Sequence, residues 1–283
     1  MRLDVLDHGH RRRARLFLAT VRRLSGVDMP DVVVVLLYRP EFFGGPMIDL
    51  TVDAMRGPSY WTAGEREYLA ARTARLYRLR FCIEAHTELT RIASEGSLDA
   101  DDPAGARPEL LTVRDFLDTV SRTPDRVERV DLPERAVRDA LRVNLVWNIV
   151  NRVGLAFGFE LREGQLHRGT RALHRSGYRL PGFLVGRRDR GDLVENLRYA
   201  VFDSPGTTPT ALRAAAGAGG PLAEPWRTYA ATVRDTPDRL ADADLERLTA
   251  AGHTEDEVFE ITVAAAVGAS LRGLSAGLSA LPR

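Results

Sequence analysis

The spacing of apolar and polar positions predicts helices along most of the chain. Between residues 8 and 24, apolar side chains recur at helical spacing opposite a strongly basic face, at Leu16, Phe17, Val21 and Leu24. This pattern predicts an amphipathic helix. Val32 to Leu37 has the β-branched composition of a strand, but an isolated strand would leave its backbone groups unpaired. We therefore favour a helix there as well.

Two capping boxes mark helix starts. Thr62 and Glu65 are spaced so that the hydroxyl caps a free amide and the carboxylate reaches back to the cap, and Thr254 and Glu257 repeat this arrangement. Helical patterns follow over 67–77 and again over 82–92. Whether the chain breaks near Leu79 stays open, because no Gly or Pro marks the place.

An internal repeat organises the chain. The sequence Thr-Val-x-x-Thr-Pro-Asp-Arg occurs at 119–126 and again at 232–239, and each copy precedes a long apolar helical pattern, over 136–157 and 257–281. A repeat of this size indicates duplication of one helical unit rather than a solenoid. We predict an all-α fold with a first unit over 1–161, a connection over 162–225 and a second, degenerate unit over 226–283.

Composition predicts a globular protein. The 283 residues are 44% hydrophobic and carry a formal net charge of +1, which indicates neither disorder nor a nucleic-acid or anionic-membrane partner. The apolar run from Val32 to Leu37 is far shorter than the roughly 20 residues that cross a bilayer, and no cleavable signal pattern opens the chain. These features predict a cytoplasmic location.

Chemistry, if present, centres on the only cysteine. Cys82 and His86 are four residues apart, so on one helix they share a face. If Cys82 falls in the first helical turn, the exposed amides favour its thiolate and lower its pKa. Glu67, on the preceding helix, could orient His86 or pass a proton through water.

Plainer interpretations of the same residues stay open on spacing alone. A lone cysteine is more often a small buried hydrophobe than a nucleophile, and a glutamate such as Glu67 is most often a solvated helix-face charge. A single cysteine also excludes an intramolecular disulfide and a Cys-rich metal site. We predict no metal and no cofactor, and any redox cycle through Cys82 needs an outside thiol.

A resemblance favours the chemical interpretation. The segment Phe81-Cys82-Ile83-Glu84-Ala85-His86 resembles the CxxCxxxH redox motif of the alkylhydroperoxidase/carboxymuconolactone decarboxylase superfamily, in which a Glu lies upstream. The segment from Arg56 to Glu67 looks like the entry to that motif, and Asn148 to Gly158 looks like the family's closing helix. Glu67, Cys82 and His86 match the relay Glu, second Cys and His. The resemblance implies an all-α fold, homo-oligomers and thiol-dependent reduction of hydroperoxides.

The chain departs from the motif at one position. Leu79 stands where the family has its first Cys, so the disulfide of the usual cycle cannot form. Attack of Cys82 on a hydroperoxide to give a sulfenic acid is still chemically sound, with a low-molecular-weight thiol or a thiol protein as reductant. Two alternatives stay open: a decarboxylase-like acid–base enzyme that uses Glu67 and His86, and a non-catalytic member of the fold.

The remaining candidates are weaker. We expect His8 and His10 to belong to a solvated tail and His167 and His174 to lie at the surface. Trp147 is expected in the core. Asn148 and Asn151 are expected to bond across a subunit or repeat interface.

Overall fold

The protein is all-helical. A computed structural model describes residues 1–186 and 191–281, which contain fifteen α-helices and no strand. The expected all-α class is therefore confirmed, and Val32 to Leu37 lies in a helix as we favoured.

The helix bounds are as follows. In the first part of the chain they are α1 (Val5–His8), α2 (Arg12–Ser25), α3 (Asp31–Tyr38), α4 (Gly45–Arg56), α5 (Ala63–Tyr77), α6 (Arg80–Ala93), α7 (Pro108–Arg122) and α8 (Glu134–Phe157). The rest are α9 (Thr170–Ser176), α10 (Gly182–Val185), α11 (Leu193–Phe202), α12 (Thr210–Ala218), α13 (Trp226–Asp235), α14 (Asp242–Ala250) and α15 (Glu255–Ser279). Short π-helical turns cover Pro40–Gly44 and Gln165–Gly169, and 3₁₀ turns cover Pro103–Gly105, Pro124–Arg126 and Pro237–Arg239.

The chain forms two compact units from interleaved segments. Unit 1 comprises Met1–Leu50, Arg152–Glu163 and Leu180–Ala269, and unit 2 comprises Thr51–Asn151, Gly164–Arg179 and Ser270–Arg283. The division that we predict at 161 and 225 follows the repeat along the chain rather than compactness, and it stays a prediction.

Unit 1 has an aromatic core around Phe259. The ring of Phe259 stacks on Phe157 with centroids 5.6 Å apart, and Tyr38 meets it edge-on at 5.0 Å. Gly217 of α12 and Gly268 of α15 allow two helices to touch: a Cβ on Gly268 would lie 2.4 Å from the Cα of Gly217. Only glycine permits that approach, because any larger side chain would overlap backbone atoms.

Unit 2 is built around α5, which packs against α6 and α7. Leu69, Ala70 and Ala74 of α5 are almost completely buried. The Thr62–Glu65 capping box that we predicted is present, with Thr62 N–H donating to Glu65 Oε2 at 2.8 Å. The chain does break near Leu79: Arg78 takes a left-handed conformation with φ of 59°, and α6 begins at Arg80.

The two repeat copies have the same local structure. In the first copy α7 ends before Thr123, whose φ and ψ are −139° and 62°; in the second α13 ends before Thr236, with −142° and 55°. A 3₁₀ turn follows each threonine. The first copy lies in unit 2 and the second in unit 1, and the duplication of a helical unit stays a prediction.

The long helix α15 is apolar over most of its length. By length and composition alone it could cross a membrane, and 56% of its most apolar window is buried inside the protein. The core helix of a soluble protein has the same properties. Its predicted capping box forms, with Thr254 N–H donating to Glu257 Oε2 at 2.9 Å.

Candidate active site

Glu67 is a fully buried carboxylate in unit 2. It lies on α5 just after the capping box, and its side chain has no exposed surface. Both oxygens accept hydrogen bonds: Oε2 from Nδ1 of His86 at 2.8 Å, and Oε1 from Nη2 of Arg56 at 2.6 Å. The hydroxyl of Tyr178 contacts both oxygens, at 2.9 and 2.8 Å. An ionised carboxylate inside a protein needs such partners, because burial without them is costly.

His86 is held by more than its bond to Glu67. It lies on α6 and is 2% exposed, and the indole ring of Trp147 meets its ring edge-on with centroids 3.9 Å apart. The indole N–H of Trp147 donates in turn to the sulfur of Met55 at 3.2 Å. These contacts fix the imidazole plane. Trp147 is a core residue, as expected, and it also shapes the site.

The charges favour an ionised Glu67. Burial raises the pKa of Glu67, but the hydrogen bond and charge of His86 and the charge of Arg56 outweigh it, so the pKa lies below its ordinary value. An ionised Glu67 can only accept hydrogen bonds. Nδ1 of His86 must therefore carry the proton, which leaves Nε2 as the basic nitrogen in the neutral ring.

Two residues that bond Glu67, Arg56 and Tyr178, were not identified as site residues in the sequence analysis. Arg56 lies in the segment that resembles the motif entry, but nothing in its spacing predicts a pair with Glu67. Tyr178 falls in the connection, 111 residues from its partner, where no periodicity links it to the site. The cation of Arg56 also lies over the Tyr178 ring, 4.9 Å from its centroid. Burial, followed by the charge of Glu67, raises the pKa of Tyr178 well above 10.0.

Cys82 does not have the electrostatics that we expected. It occupies the first turn of α6, as the sequence suggested, but it is fully buried and makes no hydrogen bond with any described residue. Burial raises the pKa of the thiol, contrary to the expected lowering. The helix amides are outweighed because a thiolate here would lose its hydration and gain no partner. Leu79, at the position of the missing cysteine, is 5% exposed and packs in the interior.

The other histidines fall into two groups. His8 and His167 are exposed, which agrees with the expectation for both. His10 was expected in a solvated tail, and this is wrong: it is 5% exposed, and its Nε2 lies 2.8 Å from the carbonyl oxygen of Val34. His174 is half-buried rather than at the surface, and its Nδ1 is a buried atom without a hydrogen-bond partner. Residues 1–186 and 191–281 contain no group of three or more His, Cys, Asp or Glu side chains suited to a metal ion.

The asparagines of α8 bond inside unit 2. Asn148 accepts from the hydroxyl of Tyr77 and donates to Ser121 at 3.1 Å, while Asn151 donates to the backbone of Trp147 at 2.6 Å. These bonds align α8 with α5 and α7. Their expected role at a subunit or repeat interface stays a prediction.

The sequence was compared with known proteins. It matches no protein-family model, and no curated protein sequence is significantly similar to it.

The cluster as a whole can hold and move a proton. Glu67 and His86, which the sequence analysis paired, are in direct contact, and Arg56 and Tyr178 complete the shell around the carboxylate. Cys82 is near enough to Tyr178 to affect its titration, but no hydrogen bond joins its thiol to His86 within the described chain. The arrangement is therefore that of an oriented imidazole base with an unactivated thiol beside it.

Proposed function

We propose that this chain is an acid–base enzyme of the carboxymuconolactone decarboxylase type, with His86 as the residue that donates and accepts the proton and Glu67 as the carboxylate that orients it. The observation that carries the proposal is the buried 2.8 Å hydrogen bond between Nδ1 of His86 and Oε2 of Glu67. A carboxylate in that position fixes the tautomer that leaves Nε2 free to accept a proton. It also stabilises the imidazolium formed after proton transfer.

The substrate class we propose is a carboxylated lactone. When CO₂ leaves such a compound, the electron pair of the broken C–C bond stays on the carbon that carried the carboxylate. His86 in its protonated form supplies the proton to that carbon as the acid. The neutral imidazole then takes a proton from water as the base, and the hydroxide that is left combines with the released CO₂ as bicarbonate. Glu67 stays ionised throughout and compensates the positive charge on the ring. A positioned acid or base of this kind contributes a rate factor of about 10²–10⁴.

The test compares three variants of the full chain. CO₂ release from a panel of unsaturated lactone carboxylates is measured for the wild-type protein and for His86→Gln, Glu67→Gln and Cys82→Ser. We expect the rate to fall about 10²–10⁴-fold in the His86 variant, less in the Glu67 variant, and little in Cys82→Ser. Exposed His8→Gln is the matched histidine control. No CO₂ release from the panel by wild type, or equal rates in wild type and His86→Gln, would contradict the proposal.

A second candidate is thiol-dependent reduction of a hydroperoxide, and it is favoured by the position of Cys82 one helical turn from His86. In this reaction His86 takes the thiol proton and the sulfur attacks the terminal peroxide oxygen. The O–O bond breaks, an alcohol leaves with a proton, and Cys82 becomes a sulfenic acid. Two molecules of an external thiol then reduce the sulfenic acid, giving water and an external disulfide.

The burial of Cys82 allows an experiment to distinguish the acid–base enzyme from the peroxidase. Because burial raises the pKa of Cys82, the native thiol should react with iodoacetamide slowly at neutral pH. Hydroperoxide consumption with dithiothreitol as reductant, abolished in Cys82→Ser, would favour the peroxidase over the acid–base enzyme. Alkylation that is fast at pH 7 and slowed in His86→Ala and Glu67→Ala would point in the same direction.

The cellular location, the oligomeric state and the binding partners of the enzyme are also proposals. We propose a cytoplasmic homo-oligomer that acts on a small molecule without a bound cofactor, since the chemistry above uses only side chains of this chain. The near-neutral net charge of +1 is the reason that we propose neither a nucleic-acid nor a membrane partner. Light scattering on the purified protein tests the oligomeric state directly.

A further inference from the structure

Residues 164–179, which we call the cover segment, contain the π-helical turn Gln165–Gly169 and α9. The cover segment belongs to unit 2, although the chain on both sides of it, 152–163 and 180–269, belongs to unit 1. Both of its helical pieces pack against α6, the helix that carries Cys82 and His86. These sixteen residues therefore belong to unit 2 and cover part of α6.

The cover segment is attached to the site through Tyr178. The phenol donates to the Glu67 carboxylate, and the Arg56 cation lies against the ring. Arg56 itself bonds Glu67, so the three side chains form a closed triangle of contacts. With the phenol in place, His86 is 2% exposed and Cys82 is fully buried. A substrate has no contact with either residue in this state.

The backbone that presents Tyr178 is strained. Tyr178 has φ of 67°, a left-handed conformation that a bulky side chain rarely adopts, and it follows Gly177, with φ of 59°. Such a conformation persists where surrounding contacts hold it, and strained residues cluster at ligand clamps and switches. Main-chain bonds at the end of α9, from Gly177 N–H to the carbonyl of His174 and from Tyr178 N–H to that of Leu173, hold this conformation. The left-handed turn directs the Tyr178 side chain to Glu67 and Arg56, so the end of α9 and the site are joined through one side chain.

We propose that the cover segment is a movable lid and that Tyr178 is the positioning residue that latches it to Glu67. Substrate reaches His86 only after the phenol leaves the carboxylate. Glu67 then lacks its tyrosine donor, and water that enters with the substrate donates the hydrogen bond in its place. This proposal rests on the proposed function of the same site, because it assigns the lid to the Glu67–His86 pair.

Alkylation of Cys82 reports opening without any substrate. The full chain is treated with iodoacetamide under native conditions, and modification is followed by mass spectrometry for wild type, Tyr178→Phe and Tyr178→Ala. Tyr178→Phe keeps the ring under Arg56 and removes only the hydroxyl. Loss of a hydrogen bond to a charged group should raise the opening equilibrium, and with it the alkylation rate, by about tenfold or more. Tyr178→Ala should be faster still, because the stacking on Arg56 is also lost.

The matched control is Tyr77→Phe. Tyr77 is another buried tyrosine of unit 2, and its hydroxyl bonds Asn148 rather than Glu67. This variant loses a buried hydrogen bond without touching the latch, so its alkylation rate should stay close to that of wild type. The alkylation rate of Tyr178→Phe should also depend only weakly on low urea concentrations, since a local opening exposes little surface.

A second readout separates positioning from packing. The proton on Nδ1 of His86, hydrogen-bonded to Glu67, gives a downfield NMR signal. In Tyr178→Phe this signal should shift, because Glu67 has lost one donor and bonds His86 more strongly, and in Tyr77→Phe it should not move. A residue that only fills space would leave the signal unchanged.

The outcomes are distinct. Equal alkylation rates in wild type and both Tyr178 variants, or equal acceleration in Tyr178→Phe and Tyr77→Phe, would overturn the lid. Faster alkylation in the Tyr178 variants alone supports it, whether or not a lactone is turned over. The absence of any His86-dependent turnover would count against the proposed function and leave the lid standing.

Discussion

Each unit buries one glutamate completely, and the partners of the two carboxylates differ. Glu67 of unit 2 is bonded by His86, Arg56 and Tyr178, and one of these partners is an imidazole, the side chain that most often serves as an acid or a base. Glu260 of unit 1 accepts from the backbone amides of Thr207 and Thr208 at 2.7 Å each. It also accepts from the Thr208 hydroxyl at 2.6 Å and from Arg39 at 2.7 Å.

The partners decide what each carboxylate can do. Around Glu260 the donors are two backbone amides, the Thr208 hydroxyl and the Arg39 guanidinium, and the Arg213 guanidinium forms an ion pair with it at 3.6 Å. None of these groups is a proton carrier of the imidazole kind. That arrangement fastens the loop before α12 to α15 and cannot relay a proton. Around Glu67 the imidazole can change its protonation state. Two equally buried charges thus differ in chemistry because of their neighbours and not because of their burial.

The largest effect on stability should come from removing the charge in unit 1. Glu260→Ala leaves the fully buried Arg213 without its counter-charge and two threonine amides without an acceptor. We expect the free energy of unfolding to fall by about 3–5 kcal/mol, the usual cost of breaking a buried ion pair. Urea denaturation measures it, with exposed Glu246→Ala as the control. A loss no greater than that of the control would show that Glu260 does not clamp unit 1.

Glu67→Gln should have a smaller effect on stability and a distinct pH signature. It weakens hydrogen bonds to a charged group, which costs about 1.5–3 kcal/mol at neutral pH. The pKa of Glu67 is lowered in the folded protein, so its ionisation stabilises the fold above the ordinary value of 4.5, and that stability is lost as the pH falls below it. The variant should therefore lose less stability than wild type on acidification below 4.5. Urea midpoints at pH 3 to 7 test this, and parallel curves would contradict it.

The two capping boxes give a matched pair of smaller perturbations. Thr62→Ala and Thr254→Ala each remove a hydroxyl that accepts an N3 amide, at 3.2 and 3.3 Å, and each should cost about 1 kcal/mol. Only Thr62 begins the helix that carries Glu67. We therefore expect Cys82 alkylation to accelerate in Thr62→Ala and not in Thr254→Ala. Acceleration in both variants would mean that the alkylation rate follows global stability rather than the site.

The smallest expected effect on stability comes from His10, the buried histidine of unit 1. Burial lowers the pKa of His10 from 6.5, so the unfolded chain binds the proton more readily and stability is lost as the pH falls below 6.5. His10→Gln, which retains a donor towards Val34, should remove that part of the pH dependence. Unfolding measurements between pH 5 and 7 check it. If the free energy of unfolding changes with pH equally in His10→Gln and in wild type, His10 does not contribute to the pH dependence.

Local features of the fold were readable from the sequence. Both capping boxes follow from residues three positions apart, and the two copies of the repeated sequence have the same turn after Thr123 and Thr236. The helix over 31–38 was favoured against its strand-like composition, because an isolated strand would have no partner. The helix break at Arg78 could not be predicted from the sequence, because no local sequence feature marks a left-handed arginine. Its conformation is held by hydrogen bonds to Ala74 and Arg75 at the end of α5.

The candidate site was readable only in part. Glu67, Cys82 and His86 lie on the consecutive helices α5 and α6, and their spacing together with the resemblance to a known motif grouped them. Tyr178 could not be found that way, since it comes from a segment whose return to unit 2 no periodicity predicts. The electrostatics of Cys82 were also predicted with the wrong sign, because a helix position is readable from sequence whereas complete burial is not.

The chain's residue order alone determined the helical periodicity, the two caps and the repeated sequence, and it suggested the pairing of Glu67 with His86. All of these depend on interactions within one helix or between consecutive helices. Tertiary structure decided which charges are buried, which donors surround them and which distant segment closes over α6. Those properties depend on desolvation, and desolvation is set by every element packed around a side chain rather than by its neighbours in sequence.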